Sequence, residues 1–219
     1  MTKTLAIFAK SPQPGRVKTR LRLPPSQAAA LHGAFVRDVV ERHQSKTYDT
    51  VLYRADEPDH EFWSSLDVPL RDQVVGNLGQ RMAQCVQELL NSQDSVVIIG
   101  TDSPNLPTER ITQAFAALET HDAVLGPACD GGYYLIGMRR FCADLFPVDM
   151  PWGGSTVLTQ TLAVLNESKI HYQLLDFWYD VDRPEDLALL CAHQSYLDGV
   201  KIRPASHTVQ CIKALGLWP

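Results

Sequence analysis

The stretch Leu5-Ala6-Ile7-Phe8-Ala9-Lys10-Ser11-Pro12-Gln13-Pro14-Gly15-Arg16-Val17-Lys18-Thr19-Arg20-Leu21 decides how this chain is read. Leu5–Ala9 is a short, continuously apolar run, which predicts a buried strand. The run stops at Lys10 and a turn follows, stiffened by Pro12 and Pro14 and given unusual torsions by Gly15. That loop carries Lys10, Arg16, Lys18, Arg20 and Arg22. No Asp or Glu precedes Asp38, so the first 37 residues hold seven Lys and Arg and no acid; the rest of the chain holds 13 basic and 25 acidic side chains. A positive island just beyond a buried strand suits a phosphorylated ligand, held by backbone N–H groups and by Lys and Arg charge. The plainer alternative is a solvated basic loop. The loop is not a Walker A motif, because Val17 stands before Lys18 where Gly is required, and with Gly15 alone it is not GxGxxG.

With 219 residues, 45% of them hydrophobic, the chain is long enough to bury a real core and is expected to form one domain, residues 1–219. A net charge of −5 argues against nucleic acid or an anionic membrane as partner. No apolar run approaches the roughly 20 residues of a membrane span. The five cysteines (Cys85, Cys129, Cys142, Cys191 and Cys211) are odd in number, scattered and free of CxxC pairs. They read as reduced thiols of a cytoplasmic protein. The seven histidines show no HxxxH spacing, which argues against a His-based metal site.

Strand-like and helix-like segments alternate. Strands are predicted at Leu5–Ala9, Thr50–Arg54, Val96–Gly100, Ala123–Gly126, Tyr133–Met138 and Ile170–Leu175. Helices are predicted at Ser26–His43, from Asn77 through Leu90, at Pro107–Leu118, Ser155–Glu167 and Pro184–Tyr196, with a short terminal helix over Ser206–Leu215. Asn77 and Gln80, three apart, form a capping-box-like pair at the second helix. This βαβ rhythm predicts a three-layer α/β/α sandwich around a mainly parallel sheet, with ligands beyond the carboxyl ends of its strands.

Four further segments carry candidate chemistry. Asp102, where Val96–Gly100 ends, suits a hard divalent cation that bridges protein and phosphate oxygens; an Asx turn or cap before Ser103-Pro104 is the ordinary alternative. Asp180-Val181-Asp182 supplies two more carboxylates, although Asp182 and Glu185 have the spacing of a capping box ahead of Pro184. Asp130-Gly131-Gly132-Tyr133 is either a hairpin turn or a close approach to a sugar or phosphate, with Asp130 accepting a hydroxyl proton or hydrogen bond. Trp152 is a core plug or a stacking platform, and Ser155 a sensible N-cap for the helix that follows.

In combination and order, AKSPQPGRVKTRL, GNLGQRM, IIGTDSPNLP, DGGYYLIG, PWGGST and YDVDRPEDL resemble a family of bacterial glycosyltransferases with the nucleotide-diphospho-sugar transferase (GT-A) fold. That family is often described as radical-SAM/selenodomain-associated transferases. The likeness runs from Thr4 to about Tyr196. More distantly the chain looks like the molybdopterin and phospholactate nucleotidylyltransferases. The resemblance implies that Lys10, Gly15, Arg16, Lys18 and Arg20 hold a nucleotide's phosphates, with Gly79 and Arg81 near its base or ribose. It implies a Mg²⁺ or Mn²⁺ ion on Asp102 and Asp182, with Asp180 assisting. It places Asp130, Gly131, Gly132 and Tyr133, with Trp152, Ser155 and Thr156, on the sugar or acceptor side, Asp130 being the candidate catalytic residue. Asn77 and Gln80 stand where the family's motif has acidic residues, and a D-x-D is absent around Asp102. The expected reaction is glycosyl transfer from a nucleotide-sugar to a small acceptor. Its rivals are nucleotidyl transfer from an NTP with pyrophosphate release, and nucleotide binding without turnover.

Overall fold

The structure is a computed structural model that describes residues 1–199 and 205–218. Seven strands form one sheet: β1 (Lys3–Ala9), β2 (Asp49–Arg54), β3 (Leu70–Asp72), β4 (Ser95–Ile99), β5 (Ala123–Pro127), β6 (Tyr133–Met138) and β7 (Tyr172–Leu174). Their order is β3-β2-β1-β4-β6-β5-β7. All run in one direction except β6, which lies antiparallel between β4 and β5. The helices are α1 (Pro25–Arg42), α2 (Leu78–Leu90), α3 (Thr108–Ala117), α4 (Val157–Glu167), α5 (Pro184–Gly199) and α6 (Ser206–Ala214).

The central strands are covered on both faces, and their period of two divides the core. Leu5, Ile7 and Ala9 of β1 pack with Val97 and Ile99 of β4 under α1 and α3, where Val36, Val39, Ile111 and Phe115 complete the layer. Ala6, Val96 and Ile98 face the opposite way, onto Met82, Cys85, Val86 and Leu89 of α2 and Leu165 of α4. This is the three-layer arrangement expected of the sequence. A third cluster joins Leu21, from the basic loop, to Leu31 and Phe35 of α1, Leu187 and Leu190 of α5, Ile212 of α6, and Val181. Leu21 and Val181, 160 positions apart in the chain, are thereby tied into the same apolar contact set. The Asp180–Asp182 segment is anchored against the amino-terminal loop by its central valine.

The sheet reverses its winding at β1, which has β2 on one side and β4 on the other. In such sheets the crevice outside the strand ends at this switch point is where ligands bind. Lys10 and Asp102 follow the two strands that border it.

Several local expectations need correcting. β3 went unread. The Ser155 cap is not made: α4 starts at Val157, its cap Thr156 makes no side-chain bond to the helix backbone, its Oγ1 accepting from Gln160 Nε2 at 3.3 Å, and Ser155 instead presents its carbonyl to Gly131. A β-carbon at Gly131, whose φ is 93°, would fall 2.1 Å from that oxygen. The Asp182–Glu185 capping box is also absent. Asp186 Oδ2 caps the turn by accepting from the backbone N–H groups of Asp182 (3.0 Å) and Arg183 (2.7 Å). The Asp182 carboxylate is thereby spared for another partner. By contrast, the Asn77–Gln80 box is made in full, each side chain accepting from the other's backbone N–H at 2.9 Å.

Candidate nucleotide and metal site

A cavity of about 460 Å³ opens over the carboxyl ends of β3, β2, β1 and β4. Gln73, Ala55, Ala9, Lys10, Gly100 and Asp102 mark its floor in that spatial order. Three strand spacings separate β3 from β4, so this floor is about 14 Å long. Lys10, Arg16, Lys18, Arg20, Arg81, Asp102, Tyr133, Asp180 and Asp182, all singled out in the sequence, line it.

Lys18 is the centre of the charged end. It sits in left-handed backbone conformation (φ 49°, ψ 33°) just before the short 3₁₀ turn Thr19–Leu21. Leu21 and Val17, both buried, fix that turn, and the Lys18 ammonium lies 5.0 Å from the centre of the Phe35 ring. Nζ donates to Asp102 Oδ1 at 2.5 Å, to the Val181 carbonyl at 2.7 Å and to Asp182 Oδ1 at 3.1 Å. Its side chain is only 3% exposed. Burial opposes the charge on Lys18, but Asp102 and Asp182 outweigh it and hold the ammonium above the ordinary lysine range. Burial likewise disfavours the Asp102 carboxylate, yet Lys18 draws that group below its ordinary value. Arg20 is peripheral, with Nη1 3.9 Å from Asp182 Oδ2.

Asp180 points elsewhere. Its Oδ1 accepts from Ser103 Oγ at 2.7 Å, an oxygen that also lies 2.9 Å from the Tyr179 carbonyl. Burial, followed by the nearby negative charge of Asp102, pushes the Asp180 carboxyl up to about 7. Lys18 thus pairs with two of the three carboxylates, and Asp180, buried and beside the charged Asp102, has no cation of its own among the described ion pairs. Among the described residues no three His, Cys, Asp or Glu side chains gather into a ready-made metal cage.

The segments expected on the sugar or acceptor side meet each other instead of the cavity, Tyr133 excepted. Leu158 N donates to Gly131 O, joining the Asp130–Gly132 turn to the start of α4. Asp130 is exposed, and its Oδ1 accepts from Gly132 N at 2.9 Å, an Asx turn within the β5–β6 hairpin. Asp130 does not line the cavity, and its negative charge is a minor contributor to the raised pKa of Asp180. Trp152 is a plug: its ring covers Gly79, where a β-carbon would lie 2.5 Å from Cζ2. Gly79 and Trp152 therefore face one another, and neither lines the cavity; nor do Gly15, Gly131, Gly132, Ser155 or Thr156. Arg81 does line it, its Nε tied to the Gly76 carbonyl at 2.9 Å.

His32, which no motif marks, and Ser103, next to Asp102, also line the cavity. His32, on α1, is buried with Nε2 3.0 Å from the Lys10 carbonyl, so that nitrogen carries the proton and steadies the loop. Burial pushes its pKa down and keeps the ring neutral. Its only signal in the sequence was a polar residue inside the apolar stripe of α1, which a core histidine also produces.

The family model described as "Uncharacterized protein conserved in bacteria (DUF2064)" matches residues 37–154, more than half of the chain. The chain belongs to the DUF2064 family. A solved structure from Desulfovibrio desulfuricans, called a "putative nucleotide-diphospho-sugar transferase", is 30% identical and superposes with a TM-score of 0.88 over 99% of this chain and 97% of its own. That alignment takes in the Lys18 loop and Asp182, which the DUF2064 match leaves out. A CMP:2-keto-3-deoxy-manno-octonic acid synthetase complexed with CTP shares the fold at 9% identity, with a TM-score of 0.57 over 90% of this chain and 99% of its own. A cytidylyltransferase from Leptospira borgpetersenii does so at 14% identity, with a TM-score of 0.55 over 99% and 95%. No curated protein matches this DUF2064 member in sequence. Among its described residues no helix is long and apolar enough to cross a membrane.

Proposed function

We propose that this protein is a divalent-metal-dependent transferase that moves a glycosyl group from a nucleotide-sugar to a small acceptor. One observation carries the reading: Lys18, Asp102 and Asp182, distant in sequence, meet at one end of a cavity floor about as long as an extended nucleoside diphosphate. The 30% identical relative bears a nucleotide-diphospho-sugar transferase name, which favours sugar transfer over nucleotidyl transfer. The motifs that resemble the radical-SAM/selenodomain-associated glycosyltransferases point the same way.

The residues present fit a hard divalent cation. Asp102 and Asp182 turn oxygens toward a common point, and the acidic end carries more negative charge than Lys18 alone balances. Magnesium in nucleotide sites commonly takes one or two carboxylates and completes its shell with phosphate oxygens and water, so a full protein cage is not required. Asp102 and Asp182 would hold the ion, with Asp180 behind them. When bound, such an ion supplies Lewis-acid neutralisation of a departing diphosphate.

The chain's own groups would do the rest. Lys10, Arg16 and Arg20 line the cavity beside the acidic end and would receive the phosphates, stabilising negative charge as the sugar–phosphate bond breaks and its electron pair leaves with the diphosphate. Gln73 and Arg81, at the β3 end, would face the base or ribose. Asp130, exposed on the β5–β6 turn, would orient the acceptor hydroxyl and take its proton. The test is incubation with labelled nucleotide-sugars and NTPs in Mn²⁺. Release of a nucleoside diphosphate is expected; pyrophosphate release would transfer the assignment to nucleotidyl chemistry, and tight binding without any product would make the protein a non-catalytic binder.

A further inference from the structure

The oxygens that a divalent cation would use at the end of β4 are already turned on a cation of the chain itself. Asp102 Oδ1, Val181 O and Asp182 Oδ1 surround Lys18 Nζ at 2.5, 2.7 and 3.1 Å. Two of the three are anionic, the positive charge enclosed with them is that of Lys18, and Arg20 reaches only the other oxygen of Asp182, at 3.9 Å. We infer that the ammonium seat is the metal seat: Lys18 is a built-in counterion, which a divalent cation displaces and which then turns to the phosphates of the bound nucleotide. The inference rests on the transferase reading above and adds to it an exchange of cations and a third oxygen ligand, the Val181 carbonyl.

Geometry and charge both favour the exchange. Magnesium binds oxygen at about 2.0–2.1 Å, so the seat has to tighten by only about 0.5–1 Å once the larger ammonium has left. A dication balances both carboxylates where the ammonium balances one. Lysine is a point charge on a flexible four-carbon stem, and rotating that stem carries Nζ into the cavity lined by Arg16 and Arg20. Val181, fully buried in the cluster with Leu21, keeps its carbonyl in place whichever cation is present. Metal and nucleotide binding are then coupled. Without phosphates the released ammonium has no anionic partner, so the metal alone binds weakly; with them the exchange is favourable.

The probe is Mn²⁺ without nucleotide, free ion being counted by its electron paramagnetic resonance signal. Lys18→Met is expected to bind Mn²⁺ at least tenfold more tightly than the unaltered protein, and adding Asp102→Asn should abolish that gain. Equal or weaker binding by Lys18→Met overturns the exchange; if Asp102-dependent Mn²⁺ binding persists in the unaltered protein, the metal reading survives that result. Absence of Mn²⁺ binding in every variant, even with a nucleoside diphosphate added, overturns both. A second measurement needs no variant to fold. In the unaltered protein, acetylation of Lys18 relative to the exposed Lys46 is read by peptide mass spectrometry, and saturating Mn²⁺ is expected to speed it at least fivefold. An unchanged ratio with Mn²⁺ bound also overturns the exchange.

Discussion

At the scale of single residues, one carboxylate bears on the site and one glycine on the packing of α2. Asp102→Asn keeps the shape of the side chain and leaves Asp182 and the Val181 carbonyl on Lys18, so the fold should persist. Steady-state turnover in Mn²⁺ should fall on the order of a hundredfold or more, with the far-ultraviolet circular dichroism spectrum unchanged. Turnover equal to that of the unaltered protein at saturating metal would remove Asp102 from the metal site. Gly79 poses a steric question, because Trp152 leaves no room for a methyl group there. Gly79→Ala is expected to cost about 1–3 kcal/mol in urea unfolding, as overpacked cores do. Combining it with Trp152→Leu should recover part of the loss, a coupling that two independent sites would not show. Residue types in the motifs were enough to nominate Lys18 and Asp102. They did not separate a glycine required by a tryptophan from one required by a ligand, since both leave the same letter in the sequence.

Among the elements, α1 carries an acid-sensitive device unrelated to the cavity. His43, at its carboxyl end, is fully buried, with neither ring nitrogen hydrogen-bonded among the described residues. Burial, assisted by the Arg42 charge, pushes its pKa down to about 3. The unfolded chain protonates this ring near pH 6.5 and the folded chain does not. Its contribution to stability is therefore complete above pH 6.5 and is lost progressively as the pH falls toward 3, at up to about 1.4 kcal/mol per unit. Urea midpoints of the unaltered protein and His43→Leu between pH 7.5 and 5 check this: the variant should show the flatter profile. Parallel slopes would mean that the ring is not held neutral. On the opposite side of α1, Asp38 caps α6, accepting from His207 N at 3.0 Å and Thr208 N at 2.7 Å. Asp38→Ala should accelerate amide exchange across Ser206–Ala214 well before it affects the sheet, with a loss of about 1–2 kcal/mol typical of a missing cap.

Most elements were legible because their apolar periods are regular, and the Asn77–Gln80 box marked the start of α2 to the residue. β3 was not, being three residues long with Arg71 and Asp72 in it, at a sheet edge where nothing demands an apolar run. The reversed direction of β6 was legible in Asp130-Gly131-Gly132, whose hairpin reading the β5–β6 pair bears out. What no local signal marked was its place between β4 and β5.

For the molecule as a whole, ligand binding should appear as stability. A nucleotide that binds only the folded state raises the unfolding free energy by about 2.7 kcal/mol at a hundred times its dissociation constant. Thermal shifts across nucleoside diphosphates, with and without Mn²⁺, should therefore single out one base, and Asp102→Asn should remove the Mn²⁺-dependent part. Shifts identical with and without metal would argue that phosphate binding relies on the basic loop alone. The layer architecture could be inferred from alternation of strands and helices, but strand order could not, because it is set by which faces fit together in three dimensions. The same limit hid the acceptor side: Gly131 and Ser155, from two motifs, meet each other and Trp152 meets Gly79, while His32 came to the cavity from the apolar face of α1.

The apolar contact between Leu21 and Val181 also bears on how the protein is made. One wall of the pocket is synthesised 160 residues before the facing wall, so the growing chain carries the cationic loop through that interval without the segment that closes over it. Until that valine docks, Asp102 is the acidic partner that Lys18 has, the Val181 carbonyl and the Asp182 carboxylate being still to come, and the nascent polypeptide is most prone then to capture by polyanions.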